Sequence, residues 1–364
     1  MSELSMNGLL QSQADFVSAL ATLAPSTVLA LDTEFMRERS YRPQLCLIQL
    51  GDATQQVCVD PLHLEDLEPL GALLANTRQI KLVHAAAQDL EVLHQRLGVL
   101  PAPLFDTQLA ATLCGLGEQI GYANLIERLL GVVLDKTSSR TDWSKRPLSA
   151  EQYRYALDDV RYLPEVYELL DTKLQKMGRG DWLREDCAAQ LDPARWTIEP
   201  MEAWRRVKAW QRVPKTAFSR LRELAAWRER EAQARDLPRR WVLDDDTLLR
   251  LTNRPPRSLK AMQHGGLLPA QLFCEAEALM RVLEQAEQNQ GNAPTVWKPL
   301  NELERERLAR LADALEGCAQ TLNLSAGYLL NRNDLEKFAR EPANLEKWQG
   351  WRASVCGKTL SEAL

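Results

Sequence analysis

The stretch LDTEF, residues 31–35, closes the apolar run Val28-Leu29-Ala30 with two acids separated by one threonine. Side chains alternate faces along a strand, so Asp32 and Glu34 point to the same side. Two like charges held together cost free energy unless something positive lies between them. A further acid, Asp89, stands in His84-Ala85-Ala86-Ala87-Gln88-Asp89-Leu90, in the first turn of a helix that follows a strand. The stretch Tyr155-Ala156-Leu157-Asp158-Asp159 sets Tyr155 and Asp159 one helical turn apart, with Asp158 rotated away. Each signal has an ordinary reading alone. A D-x-E pair can be a solvated strand end, Asp89 can complement the helix dipole, and Asp158 reads as a solvated acid. Taken together, Asp32, Glu34, Asp89 and Asp159 form a carboxylate set whose convergence would demand cations. Hard oxygen ligands suit Mg²⁺ or Mn²⁺, not zinc. Two such ions about 3.5–4 Å apart activate a water and stabilise a leaving oxygen in phosphodiester hydrolysis.

The elements that must position these groups are legible. Val28–Leu31, Leu45–Leu50 and Gln56–Val59 are short apolar runs bounded by Gly51-Asp52 and Asp60-Pro61, and they predict an antiparallel meander. Ile80–Val83 predicts another strand, followed by a helix with Leu90, Leu93 and Leu97 on one face, and then the strand Leu104–Asp106. That crossover makes the sheet mixed and the first half α/β. Ala156, Val160, Leu163, Tyr167, Leu170 and Leu174 mark an apolar helical stripe that Pro164 should kink or split. From about Trp196 the pattern turns helical throughout, and Gln290–Pro294 divides that half in two.

Composition removes several alternatives. Apolar residues at 45% and charged residues at 26% are ordinary for a water-soluble globular chain. No apolar run approaches the roughly 18 residues of a membrane span, and no basic-then-apolar leader is present. Cysteines 46, 58, 114, 187, 274, 318 and 356 include no C-x-x-C pair, and the four histidines are dispersed. Neither a zinc site nor a disulfide framework is encoded, so a reducing cytoplasm is the compartment implied. The net charge of −5 hides an asymmetry: residues 202–241 carry +7, leaving −12 for the remainder. A polyanionic partner would meet the basic segment.

LDTEF, HAAAQDLEVL and YALDDVRYL resemble the three motifs of the DEDD 3′→5′ exonucleases, in the subclass whose third motif carries tyrosine. FMRERSYRPQLCLIQL, FDTQLAATL and TDWSKRPLS are similar to ribonuclease D, and ARDLPRRWVLDDDTLLRL resembles the helical HRDC domain that ribonuclease D shares with certain helicases. The likeness covers nearly the whole chain. It implies a ribonuclease H-like exonuclease domain over residues 1–200, with a mixed five-stranded sheet. Two small all-α HRDC-like domains, over 210–292 and 293–364, would follow. It implies Asp32, Glu34, Asp89 and Asp159 as ligands of two divalent cations, Mg²⁺ or Mn²⁺, with Tyr155 positioning the attacking water. The implied activity is trimming of structured RNA from the 3′ end, notably tRNA precursors with 3′ extensions, releasing 5′-monophosphates. No membrane and no obligate protein partner is implied. A 3′→5′ DNA exonuclease, since the same acids serve DNA, or a catalytically silent RNA-binding protein are the alternatives.

Other residues carry weaker signals. Phe35 and Met36 follow the acids and can stack on terminal bases or simply pack at a strand end. Lys136, Arg140, Trp143, Lys145 and Arg146, in KTSSRTDWSKR, can line the RNA path through phosphate contacts and stacking, or form an ordinary polar loop. His84 reads as a satisfied core histidine, Asp106 as an N-cap for Gln108 or Leu109, and Asp244-Asp245-Asp246 as a cap for the next helix. Trp204, Trp210, Trp227 and Trp241 read mostly as core, with the arginines between them as the RNA contacts.

Overall fold

Strands and helices form where the apolar periodicity places them, and one further strand appears that periodicity does not announce. The structure, a computed structural model, describes residues 9–135, 141–264, 266–289 and 299–364. The chain divides into two compact units: residues up to 36 with 45–193 and 299–364, and residues 37–44 with 194–298. The first unit begins β1 (Leu9–Leu10), α1 (Gln13–Leu23), β2 (Val28–Met36), β3 (Gln44–Gly51), β4 (Gln56–Val59) and α2 (Glu68–Leu74). It continues β5 (Ile80–Val83), α3 (Ala87–Leu97), β6 (Leu104–Asp106), α4 (Thr107–Leu113), α5 (Tyr122–Leu130), α6 (Ala150–Arg161), α7 (Leu163–Lys176) and α8 (Gly180–Gln190).

The sheet order is β1-β4-β3-β2-β5-β6. β3 and β4 run antiparallel, and their turn is held by Asp52 Oδ1, which accepts from Thr54 N and Gln55 N at 2.8 and 3.0 Å. β5 runs parallel to both β2 and β6, so the sheet is mixed as expected. The sixth strand, β1, pairs parallel with β4 through Leu9 and Leu10. Two residues are too few to show alternation, which is why the sequence predicts only five strands. β2 and β3 are buried over most of their length, as strands covered on both faces must be. Pro164 splits the long stripe as predicted: α6 stops at Arg161 and α7 opens with Pro164 in its first turn, where the missing N–H has no intrahelical partner to lose.

The second unit contains α9 (Phe218–Arg235), α10 (Arg239–Val242), α11 (Asp245–Asn253), α12 (Leu259–His264) and α13 (Ala276–Gln288), packed around Trp204, Leu221, Leu224, Trp227, Leu251 and Leu279. Trp241 is the exception among the four tryptophans, at 49% exposed. Segment 37–44 belongs to this unit: the Tyr41 hydroxyl is bonded to Glu229, and Arg42 N donates to Asp236 at 2.9 Å. Asp244 caps α11 by accepting from Thr247 N at 2.9 Å.

The chain then returns to the first unit with α14 (Glu302–Leu322), α15 (Ala326–Leu329), α16 (Arg332–Arg340), α17 (Ala343–Glu346) and α18 (Trp351–Glu362). Residues 293–364 are expected as a separate domain, but 299–364 share one compact unit with the sheet. The reason is a polar and aromatic seam on α8. Asp186 accepts from the Tyr328 hydroxyl at 2.7 Å and Trp351 Nε1 at 2.9 Å and pairs with Arg352, while Trp351 stacks on Trp182 with ring centroids 4.5 Å apart. Arg179 donates to Leu113 O at 2.6 Å and Leu322 O at 2.7 Å. Among the described residues no helix is long and apolar enough to cross a membrane.

Candidate active site

The pleat of β2 does what alternation requires. Asp32 and Glu34 share a half-buried face, and Thr33 between them is buried. α6 lies against β2 and brings Asp159 over, so that carboxylate oxygens of Asp32, Glu34 and Asp159 all lie within 4.8 Å of one another. Asp89 stands beside this trio in the first turn of α3, where Thr33 Oγ1 donates to its Oδ1 at 2.5 Å. The threonine of the D-T-E run thus anchors the fourth acid, a role the sequence does not display. The helix start itself is set by Asp106: one oxygen caps α4 at Gln108 N (2.8 Å), and its two oxygens accept from Ala85 N and Ala86 N at 3.1 and 3.0 Å. Ala85 adopts a left-handed φ of 59°, which costs a non-glycine residue free energy unless its surroundings impose it. Asp106 is therefore more than the N-cap expected of it.

The electrostatics record the crowding. Burial, then the charges of Asp89, Asp159 and Glu34, push the Asp32 carboxyl well above the usual range. Burial with Asp159 and Asp89 pushes Glu34 up to about 9. Burial takes Asp89 to about 7 against the opposing Thr33 bond, and Asp159 to about 7 against a bond from Tyr155. Tyr155, one turn before Asp159, is hydrogen-bonded to it, and burial with the three nearby acids drives the phenol far above its ordinary value. A set of oxygen donors that raise one another's pKa in this way fits a divalent cation, which would remove the repulsion they now relieve with protons. A cleft of about 310 Å³ opens beside Tyr155 and Asp159, lined also by Tyr122, Asn124 and Leu134.

Several expectations change. Asp158 is not solvated: its side chain is 21% exposed, paired with Arg161 at 3.1 Å and raised in pKa by burial, and it borders the cleft. It follows Leu157 into the packed flank of α6, where full hydration is lost. Trp143 is 2% exposed and packs with Cys46, Cys58 and Leu148 beneath Tyr155, so it is core and not a stacking platform. Arg146 is turned inward on Asp60 and cannot line an RNA path. Phe35 and Met36 are half-buried at the end of β2, with Met36 against the Trp143 cluster. Lys136 and Arg140 lie outside the described residues. His84 is satisfied as expected, bonded at Nδ1 to Thr107 Oγ1 and at Nε2 to Ile120 O, both at 2.9 Å.

The basic stretch 202–241 is divided: four of its arginines are tied into the second unit, whereas Arg206, Arg212, Arg230 and Arg240 are exposed. Arg228, 4% exposed, pairs with Asp245 at 2.6 Å, Arg235 with Glu231 and Glu275 at 2.6 Å each, and Arg239 with the buried Glu229. Arg220 Nε donates to Thr252 O at 2.8 Å.

Residues 9–175 match the family described as 3′-5′ exonuclease, and residues 217–282 match the HRDC domain. The chain is 36% identical to the ribonuclease D of Bartonella henselae, over 99% of this chain and 90% of that protein. It is 35% identical to the ribonuclease D of Nitrobacter hamburgensis, over 96% and 93%. The crystal structure of Escherichia coli RNase D, described as an exoribonuclease involved in structured RNA processing, superposes with a TM-score of 0.86 at 30% identity and 98% coverage of both chains.

Proposed function

This chain belongs to the ribonuclease D family and is a 3′→5′ exoribonuclease, and from that premise we propose that it trims the 3′ ends of tRNA precursors in the cytoplasm, one nucleotide at a time. Asp32, Glu34, Asp89 and Asp159 hold two Mg²⁺ or Mn²⁺ ions in this reading. Those ions supply Lewis acidity and charge neutralisation for hydrolysis to nucleoside 5′-monophosphates. Tyr155 keeps its proton across physiological pH, because burial and the adjacent acids oppose its ionisation. It acts as a hydrogen-bonding group that orients the attacking water, not as a base. Phe35 and Met36, at the end of the same strand, flank the terminal base. The observation that carries the reading is the convergence of Asp32, Glu34 and Asp159 within 4.8 Å, with Tyr155 bonded to the last of them.

Capture of a tRNA-sized substrate needs cations away from the acids. With Arg220, Arg228, Arg235 and Arg239 engaged within the second unit, the exposed series Arg250, Arg254, Arg257 and Lys260, together with the exposed Arg206, Arg212, Arg230 and Arg240, supplies the phosphate-binding cations in this reading. Arg250 and Arg254 line a groove of about 560 Å³ with Asn253 and Gly266.

The test is incubation of a 3′-extended tRNA with Mg²⁺, Mn²⁺ or EDTA, with products separated by length. A one-nucleotide ladder that EDTA abolishes is expected. Internal cuts, or shortening that persists in EDTA, would overturn the proposal.

A further inference from the structure

The turn that leads into α6 is held from below by one guanidinium. Arg146 Nε and Nη2 donate to the two carboxylate oxygens of Asp60 at 2.7 and 2.8 Å. Nη2 also donates to Cys46 O at 2.6 Å, and Nη1 donates to Trp143 O and Lys145 O at 2.8 Å each. A guanidinium has five N–H donors, and five bonds use them all, so none is left for a phosphate. The pair is enclosed, with Arg146 14% exposed and Asp60 not exposed at all. Asp60 is itself held by Gln11 Nε2 at 3.0 Å, His63 Nδ1 at 2.8 Å and Leu62 N at 3.2 Å.

These bonds join β3, through the Cys46 carbonyl, and the end of β4, through Asp60, to the turn before α6. Trp143 is the link from that turn to the site. Its carbonyl is fixed by Arg146, its ring is buried with Cys46, Cys58 and Leu148, and the Tyr155 ring lies against it with centroids 6.0 Å apart and a 36° tilt. Its indole Nε1 is buried and makes no hydrogen bond, so within the described residues the ring acts through shape alone.

We propose that Arg146 is a positioning residue for hydrolysis: by clamping the Trp143 carbonyl to Asp60 and Cys46 it fixes the indole that supports Tyr155, and with it the direction in which the Tyr155 hydroxyl is presented to the carboxylates. The proposal rests on the reading that Tyr155 orients the attacking water. A lysine keeps the charge but has no planar fork, and cannot engage Asp60 bidentately while holding three carbonyls. Arg146→Lys therefore loosens Tyr155 without removing any group from the site.

The experiment is a double-mutant cycle on a short RNA 3′ end, with kcat and KM measured for Arg146→Lys, Tyr155→Phe and the double variant. Trp143→Phe is carried in parallel; it leaves the Arg146–Asp60 pair intact and, among the described residues, loses no hydrogen bond, so it covers the case in which Arg146→Lys fails to fold. Arg146→Lys and Trp143→Phe should each lower kcat roughly tenfold or more with KM within about twofold, since one positioned group contributes on the order of 10²–10⁴ in rate. In the Tyr155→Phe background neither should lower it further. An equal fold loss in both backgrounds would make the clamp structural only and overturn the proposal. A rise in KM over wild type that is largest at low salt and shrinks as salt is raised would make Arg146 a phosphate contact, with the same consequence. Wild-type kcat in Tyr155→Phe itself would instead remove the Tyr155 reading, and the clamp's proposed route with it.

Discussion

Glu34→Gln should make the metal-free protein more stable while removing its activity. In the folded chain burial and two neighbouring acids hold Glu34 at about 9, against an ordinary value of 4.5. The contribution of such a raised carboxyl is fully present below its unfolded pKa and is lost as pH climbs toward the folded one. At pH 7 the folded group keeps a proton that the unfolded group has released. That costs about 1.4 kcal/mol for each pH unit above 4.5, a ceiling of about 3.5 kcal/mol. Neighbouring carboxyls that take up protons share the cost, so a net gain of about 1–2 kcal/mol is expected from the neutral isostere. For a chain of 364 residues that is a rise in Tm of roughly 1–3 °C. The assay is thermal unfolding in EDTA from pH 5 to pH 9 for both proteins. The gap should be near zero at pH 5 and widen as pH rises, then shrink or reverse when Mg²⁺ is added, because the cation stabilises only a charged site. A variant that melts below wild type at every pH, or a gap that does not change with pH, would show that Glu34 is a structural acid and refute the reasoning.

Asp159→Asn should abolish 3′ trimming with the fold retained, and Tyr155→Phe should lose roughly 10²–10⁴-fold in kcat with little change in RNA affinity, both read from single-turnover cleavage. Since Asp89 and Asp159 lie near 7 and Glu34 near 9, a cation must displace protons, so affinity for Mn²⁺ should rise between pH 6 and pH 9. Calorimetry in buffers of different ionisation heat reads that proton release. Replacing Arg250, Arg254, Arg257 and Lys260 by alanine should weaken tRNA binding in an Asp32→Asn background and flatten its salt dependence by a slope of roughly 3, at about 0.7–0.9 per phosphate contact. Asp186→Ala leaves Arg352, Trp351 Nε1 and the Tyr328 hydroxyl without their common acceptor, and should cost about 3 kcal/mol in denaturant unfolding with kcat on short ends retained.

What the sequence by itself determined is whatever regular geometry transmits over a few residues. The two-residue pleat put Asp32 and Glu34 on one face, the helical turn put Asp159 beside Tyr155, Pro164 divided α6 from α7, and Asp106 capped α4. Those relations are local, so residue types and spacing are enough to read them. Tertiary structure decided which side chains became partners across the chain. Arg146 and Trp143 look in sequence like members of a polar loop, yet the fold joins Arg146 to Asp60 across 86 positions and buries Trp143 beneath Tyr155. The same holds for Thr33 with Asp89, separated by 56 positions, and for Asp186, whose partners on α15 and α18 draw the last helices into the sheet unit. Net charge in residues 202–241 was legible, but whether an arginine faces solvent or a buried carboxylate such as Glu229 depends on helix packing. Charge counts along a chain carry no record of that pairing. The catalytic acids could be read early because they must stay together on regular elements, whereas the residues that steady them are bound only by contacts the fold creates.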